Sequence, residues 1–282
     1  MILEYHRPTT IEAALKLITR PEPLTLPLGG GTVLNAPHAE DFAVADLQAL
    51  PLRSIELHGS TLQIGATANL QSLLDFPDLS PALAKAIQHE ATYNLRQVGT
   101  VAGTLIASDG RSPLTAAMLA LDAQLALLPG EEQRDVGDVL HSRQTIQQTS
   151  NPANRQITPS TSVGAGQSPT RPISNLQFLP HRLLTQITLS TKISLAYEYV
   201  ARTPADRPIV TVAAAKWPSG RLRVVVGGWG HTPRLALDAP EPGGVEYAVR
   251  NITAEAGDEW ASAEYRQDVA VTLTHRALSS FS

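Results

Sequence analysis

The amino-acid sequence predicts two α+β units joined by a polar linker, and three observations predict it. Helical and strand-like patterns interleave through roughly the first 140 residues. Residues 144–177 then turn to serine, threonine, asparagine, glutamine, proline and glycine, with hardly an apolar pair. Strand patterns followed by one helix pattern fill the remainder. A chain of 282 residues also exceeds the usual single compact core. The expected division is a first unit over 1–165, with the linker at its end, and a second over 178–282.

Along the chain, Thr9 and Glu12 have capping-box spacing and Ile11, Ala14, Leu15 and Ile18 repeat on one face, so a helix runs to about Arg20, where Pro21 and Pro23 stop it. Leu24 to Leu28 reads as a strand emptying into Gly29-Gly30-Gly31. Ile55 and Leu57 alternate with polar neighbours, as do Leu62 and Ile64, which predicts a hairpin around His58-Gly59-Ser60. Ser80-Pro81 opens a helix with Leu83, Ala84 and Ile87 inward, ending near Glu90. Tyr93 to Gly110 mixes glycine, threonine and apolar residues without a steady period, which predicts an irregular loop. Ser112-Pro113 opens a buried helix carrying Leu114, Ala117, Met118 and Leu121 towards a strand at Ala123 to Leu128. Past the linker, strands are expected over 183–189 and 193–200, a hairpin over 209–226, and a helix from Asp258 holding Ala261, Tyr265, Val269 and Leu273.

Composition narrows the function. Hydrophobic residues are 43% and charged residues 17% of the chain, as in a folded globular protein. A net charge of -4 provides no basic field of the kind that holds nucleic acid. The chain has no cysteine, so it cannot itself hold a disulfide, a thiolate zinc site or an iron–sulfur cluster. The residues from Met1 to Pro8 show neither a signal peptide nor a membrane span, which makes the cytoplasm the expected compartment. Eight scattered histidines lack the close helical pairing of a metal site, so no metal is expected on this chain. His89, Ser108 and Asp109 can be written as a hydrolytic triad, but no Gly-x-Ser-x-Gly turn frames the serine, so no catalytic acid, base or nucleophile is assigned.

Two glycine clusters are the candidate sites. A pyrophosphate needs converging backbone N–H groups and a close main-chain approach, and glycine permits both. Leu28-Gly29-Gly30-Gly31-Thr32-Val33-Leu34 follows a strand, and Gly99-Thr100-Val101-Ala102-Gly103-Thr104 offers a second set. The dinucleotide fingerprint fits poorly: Leu34 stands where its third glycine belongs, and Pro37 would interrupt the helix. No Gly-Lys-Ser or Gly-Lys-Thr of a P-loop occurs.

Read in order, these segments resemble the FAD-binding (medium) subunit of the molybdenum hydroxylase family, of the xanthine dehydrogenase and carbon monoxide dehydrogenase type. Tyr5-His6-Arg7-Pro8-Thr9 with Glu12-Ala13-Ala14 is similar to the family's opening, and the two glycine clusters to its flavin loops. Leu119 to Ala123 is similar to the following strand entry, and Gly227-Gly228, Thr232-Pro233 and above all Ser262-Ala263-Glu264-Tyr265-Arg266 to its C-terminal domain. The resemblance implies a two-subdomain FAD-binding domain of the vanillyl-alcohol oxidase type followed by a smaller α+β domain. It implies FAD held by Leu28, Gly29, Gly30, Gly31, Thr32, Val33, Leu34, Thr100, Gly103 and Thr104, with Ile106 against the ring. It further implies a large partner subunit carrying the molybdenum cofactor, a small one carrying iron–sulfur clusters, and electrons passing through FAD to NAD, a quinone or another acceptor.

Four positions depart from the family. Ala102 and Thr104 stand where glycine and asparagine are usual, Pro113 where many members have aspartate, and Tyr199 where lysine is frequent. These departures motivate a second reading, a flavin-free assembly or structural subunit of the same fold. Tyr265 and Arg266 are read as structural, the ring packing inward and the guanidinium bonding a loop or carboxylate. Trp217 and Trp229 are read as cross-strand packing around a hairpin. The phosphate reading of the first loop predicts that Gly30→Val abolishes FAD binding and leaves the fold largely intact.

Overall fold

The computed structural model describes residues 1–142 except 37 and 39, residue 179, and residues 181–281 except 205. The expected linker and the boundary at 165–178 lie outside these residues.

A small parallel sheet opens the chain. It orders β1 (Ile2–His6), β3 (Phe42–Asp46) and β2 (Thr25–Leu28), with β3 central and buried throughout. Helix α1 (Ile11–Thr19) buries Ala14 and Ile18, and its N-cap is Thr10, whose hydroxyl accepts from the Ala13 amide at 3.2 Å, rather than Thr9.

The second sheet is antiparallel. It orders β4 (Ile55–His58), β5 (Thr61–Gly65), β8 (Leu183–Ser190), β6 (Gln124–Leu128) and β7 (Glu132–Asp135). The strand that follows the linker in sequence thus pairs with strands that precede it. Between β5 and β6 run α2 (Leu70–Leu74), α3 (Pro81–Glu90), α4 (Tyr93–Val98), α5 (Val101–Ala107) and α6 (Pro113–Ala120). Helices α4 and α5 occupy the stretch expected to be an irregular loop. At six and seven residues they are too short to display a helical period, and Gly99-Thr100 separates them.

The third sheet, also antiparallel, orders β12 (Arg234–Ala239), β11 (Leu222–Gly227), β10 (Val210–Lys216) and β9 (Ser194–Val200), and is followed by α7 (Val245–Thr253) and α8 (Ala263–Ser279). Both faces of β10 are covered, which explains its unbroken run of buried residues up to Ala215. Val210, Val212 and Ala214 share a core with Ala270, Leu273 and Ala277 of α8. Ala213 and Ala215 join the core of the second sheet, together with Ala116, Ala117 and Met118 of α6. All eight residues of α6 are buried, as expected of a helix that is apolar all round. It packs on α3 and on the third sheet, so it couples that sheet to the helical layer.

A backbone joint reinforces that coupling. The Gly110 amide donates to Gly230 O at 2.9 Å, and the Gly228 amide donates to Gly110 O at 2.7 Å. A Cβ on Gly110 would lie 1.6 Å from Trp229 O, so no other residue fits. Arg266 fixes the far side with no exposed side-chain surface. Its guanidinium donates to Ile209 O (3.1 Å), Ala256 O, Gly228 O (3.4 Å) and the Asp258 carboxylate (2.8 Å). Burial pushes the Asp258 carboxyl up, but hydrogen bonds from Arg266 and the Trp260 and Ala261 amides leave it below its ordinary value. Asp258 therefore closes a turn and an ion pair, and the helix opens at Ser262, which caps Tyr265 N. Tyr265 is 45% exposed, which corrects the expectation that its ring packs inward.

Replacing Arg266 with methionine keeps most of the volume but leaves buried carbonyls unpaired and Asp258 uncompensated. Arg266→Met is expected to cost about 3 kcal/mol in urea unfolding; a variant as stable as the parent would remove this anchor from the account.

Candidate functional site

The first glycine loop is built from the parallel sheet. Leaving β2, the chain turns through Gly31 at a left-handed φ of +70°, and the Asn35 amide closes the following turn on Gly31 O at 3.1 Å. A relay holds the loop from below: Tyr5 OH donates to Asp46, the Gln48 amide donates to Asp46 Oδ1 at 2.9 Å, and the Gln48 side chain donates to Gly29 O at 3.1 Å.

The second cluster is a helix start rather than an open loop. Thr100 caps α5, its Oγ1 accepting from Gly103 N at 3.0 Å, and Thr104 returns both its amide and its hydroxyl to Thr100 O at 2.9 Å. The two clusters meet. A Cβ on Gly30 would lie 1.8 Å from Val98 O, and one on Gly29 would lie 2.7 Å from Thr100 Oγ1.

Beside this junction lies a cavity holding about 1070 Å³ of empty space, counted out to its open mouth. Leu28, Gly29, Gly30, Gly31, Thr32, Val33, Leu34, Thr100, Gly103 and Ile106 line it, whereas Thr104 does not. Among the described residues, none accepts a hydrogen bond from the amides of Gly30, Gly31, Thr32 or Val33. The cavity is completed by residues that carried no local signal, including His181 and Arg182 just beyond the linker. His181 Nδ1 donates to Ile18 O at 3.2 Å, and Arg182 donates to Pro129 O (3.0 Å) and Glu132 (2.6 Å), so the guanidinium at the cavity wall is already half committed.

Of the departing positions, Ala102 is buried within α5 and Pro113 starts α6. A carboxylate does sit beside Pro113, but Glu90 supplies it, accepting from Ser112 Oγ at 2.7 Å and Leu114 N at 2.9 Å. Burial pushes the Glu90 carboxyl above its ordinary value despite those two donors. Tyr199 lies tilted against His89 with ring centres 4.0 Å apart and planes 45° apart, and Lys85 Nζ lies 5.4 Å from the Tyr199 ring centre. The paper triad is dispersed: His89 faces Tyr199, Ser108 bonds Leu105 O, and Asp109 pairs with Arg207.

Residues 1–142 match the model of the FAD binding domain in molybdopterin dehydrogenase, and the chain belongs to that family. It is 35% identical over 133 residues to the uncharacterized protein YgfM of Escherichia coli K12, an alignment covering 46% of this chain and 51% of YgfM, so the chain spans about half the length of the curated relatives it matches. Its fold is similar to a chain of the Cu,Mo-CO dehydrogenase in cyanide-inactivated form (TM-score 0.71, 22% identity, 99% of this chain and 98% of that one). It is also similar to a chain of quinoline 2-oxidoreductase from Pseudomonas putida 86 (TM-score 0.68, 16% identity, 99% and 96%). These likenesses establish the α+β fold. Among the described residues no helix is long and apolar enough to cross a membrane.

The junction corrects the expectation for Gly30→Val, because a side chain there meets the backbone of Val98 and cannot leave the fold intact. Even Gly30→Ala is expected to cost about 2 kcal/mol in urea unfolding without any ligand; unchanged stability would show that the loops are not packed as described. Glu90 gives a pH signature. Its carboxyl pKa is raised on folding, so its stabilising contribution is complete below the ordinary value of 4.5 and is lost as pH rises through the folded value. Glu90→Gln should flatten that part of the stability–pH curve, and a curve unaffected by the substitution would contradict this.

Proposed function

We propose that the chain binds one FAD in the cavity beside the glycine junction and serves as the flavoprotein subunit of a molybdenum hydroxylase-type dehydrogenase in the cytoplasm. The observation that carries this reading is the run of four main-chain amides, Gly30 to Val33, without an internal acceptor among the described residues, at a cavity that Thr100, Gly103 and Ile106 close from the other side. A pyrophosphate supplies the acceptors that such a run lacks. Leu28, Gly29 and Leu34 shape the wall, Thr32 adds a hydroxyl, and Ile106 offers an apolar contact for a ring. Thr104 contributes by fixing the first turn of α5 rather than by touching the ligand.

Bound FAD would supply the ability to take up electrons and pass them on one at a time. The chain's own residues would position and enclose it. The absence of cysteine here agrees with iron–sulfur clusters on a small partner; by the family resemblance we read the molybdenum cofactor on a large partner and NAD, a quinone or another acceptor as taking the electrons. One observation favours the second reading, a flavin-free structural subunit: the Gly103 and Thr104 amides are already used within α5, which leaves the first loop as the main phosphate donor.

FAD titration followed by flavin fluorescence separates the two. Thr32→Pro removes one amide donor without adding bulk at the junction and is expected to weaken FAD about tenfold, matching one hydrogen bond to a charged group. Thr32→Val, which removes only the hydroxyl, should weaken FAD less than Thr32→Pro does. Failure of the parent to bind at micromolar FAD in the presence of its partner subunits would favour the flavin-free reading.

A further inference from the structure

A second groove shares no lining residue with the cavity at the glycine junction. The first turn of α3, the turn before β9, the turn after β10 and Phe281 contribute to its wall, and it holds about 1430 Å³ including the open solvent above it. Lysine is the rare cation of this chain, four among 22 lysines and arginines, and three of the four, Lys85, Lys192 and Lys216, line this one groove. Among the described residues none of the three pairs with a carboxylate, because the ion pairs there are made by arginine, histidine and the N-terminal amine. Glu198, the one acidic residue of the lining, is not in any of those pairs. Lys85 and Lys216 each make one long contact to a main-chain oxygen, Tyr197 O at 3.4 Å and Phe281 O at 3.5 Å, and an ammonium group with three donors keeps others after such a contact.

The start of α3 adds to this positive wall. Pro81 and Ala82 belong to the lining, the N-cap Ser80 makes no side-chain hydrogen bond, and the Ala82 amide has no acceptor among the described residues. The positive end of the helix dipole therefore lies beside the lysines. Positive charge is thus gathered in one place on a chain whose net charge is -4. Ammonium groups that share a groove without a counter-charge repel one another and raise the local potential, and a multivalent anion relieves them together.

We propose that this groove is a second anion site, which takes a small molecule bearing two or more linked phosphates, either a free polyphosphate or the phosphate tail of a nucleotide. The choice of lysine points to phosphate. A guanidinium fork matches a planar carboxylate, and the chain uses arginine for its carboxylate pairs, whereas an ammonium is a compact point charge that meets phosphate oxygens from any side. Three such charges from three separate segments call for more than one phosphate. The Arg221 guanidinium, 4.6 Å from the Trp217 ring centre, is already bound to Asp238 and Asp122 and takes no part, which leaves Trp217 on the groove wall as an optical reporter.

The test titrates the full chain with inorganic tripolyphosphate and, separately, with ATP at low ionic strength, read by tryptophan fluorescence and calorimetry. Tripolyphosphate should bind at one site per chain and raise the unfolding temperature. Lys192→Gln together with Lys216→Gln, both exposed, should weaken it about tenfold without altering the unfolding of the free chain, and adding Lys85→Gln should weaken it further. Lys16→Gln, at the lysine outside the groove, should leave binding as it was. Thr32→Pro should keep polyphosphate binding while weakening FAD, so this inference and the flavin reading fail separately. ATP binding as tightly as tripolyphosphate or tighter identifies a nucleotide as the source, and tripolyphosphate binding alone identifies a free polyphosphate; either is the proposed chemistry. No binding, an equal loss on Lys16→Gln, no loss in the lysine variants, or full competition by a glutamate octapeptide would overturn the proposal.

Discussion

The structure depends on one close approach, the backbone of Gly30 against the backbone of Val98 and Gly99. No side chain can separate these segments without moving one of them, since a Cβ at Gly30 would meet Val98 O at 1.8 Å. The contact joins the parallel sheet, which carries the first loop, to the helical layer of the second sheet, which carries α5. The cavity exists because the two supports are held at that distance. Glycine at position 30 therefore serves the junction first, and any ligand uses a wall that the junction has already set.

A second joint of the same kind ties the turn between α5 and α6 to the third sheet. Gly110 accepts from the Gly228 amide and donates its own to Gly230 O, and Arg266 donates to Ile209 O and Gly228 O behind them. Helix α6 adds a slab of alanine, leucine and methionine between α3 and the third sheet. The last hundred residues are thereby packed against the helices that bear the site through small residues and main-chain bonds. Polar side chains are spent at the edges of this contact, where Arg207 grips Asp109 and Arg111 reaches Pro208 O.

Much of the fold was legible in the sequence where the signal is local. The Gly59 hairpin, the Ser80-Pro81 and Ser112-Pro113 helix starts and the strand entering Gly29 all announce themselves through turn and cap chemistry. What was not legible lacks local signal. β3 is buried on both sides and shows no alternation. α4 and α5 are too short for a period, so the helix start at Thr100 carries the sequence pattern of an open loop. β8 joins a sheet whose other strands lie before the linker, and no residue pattern encodes that long-range pairing. The same holds for the site. The first loop was visible as glycine, whereas His181 and Arg182 reach the cavity only through the return of the chain after the linker, and Glu90 reaches Pro113 only through the packing of α3 on α6.

The central claim is that main-chain amides of the first loop hold a dinucleotide's phosphates, and amide-resolved hydrogen exchange of the chain with and without FAD tests it most directly. Slowed exchange is expected at Gly30, Gly31, Thr32 and Val33 on addition of FAD, with little change at Gly103, whose amide is already bonded to Thr100. Exchange at those four amides that FAD leaves untouched, while the flavin binds elsewhere or not at all, would contradict it.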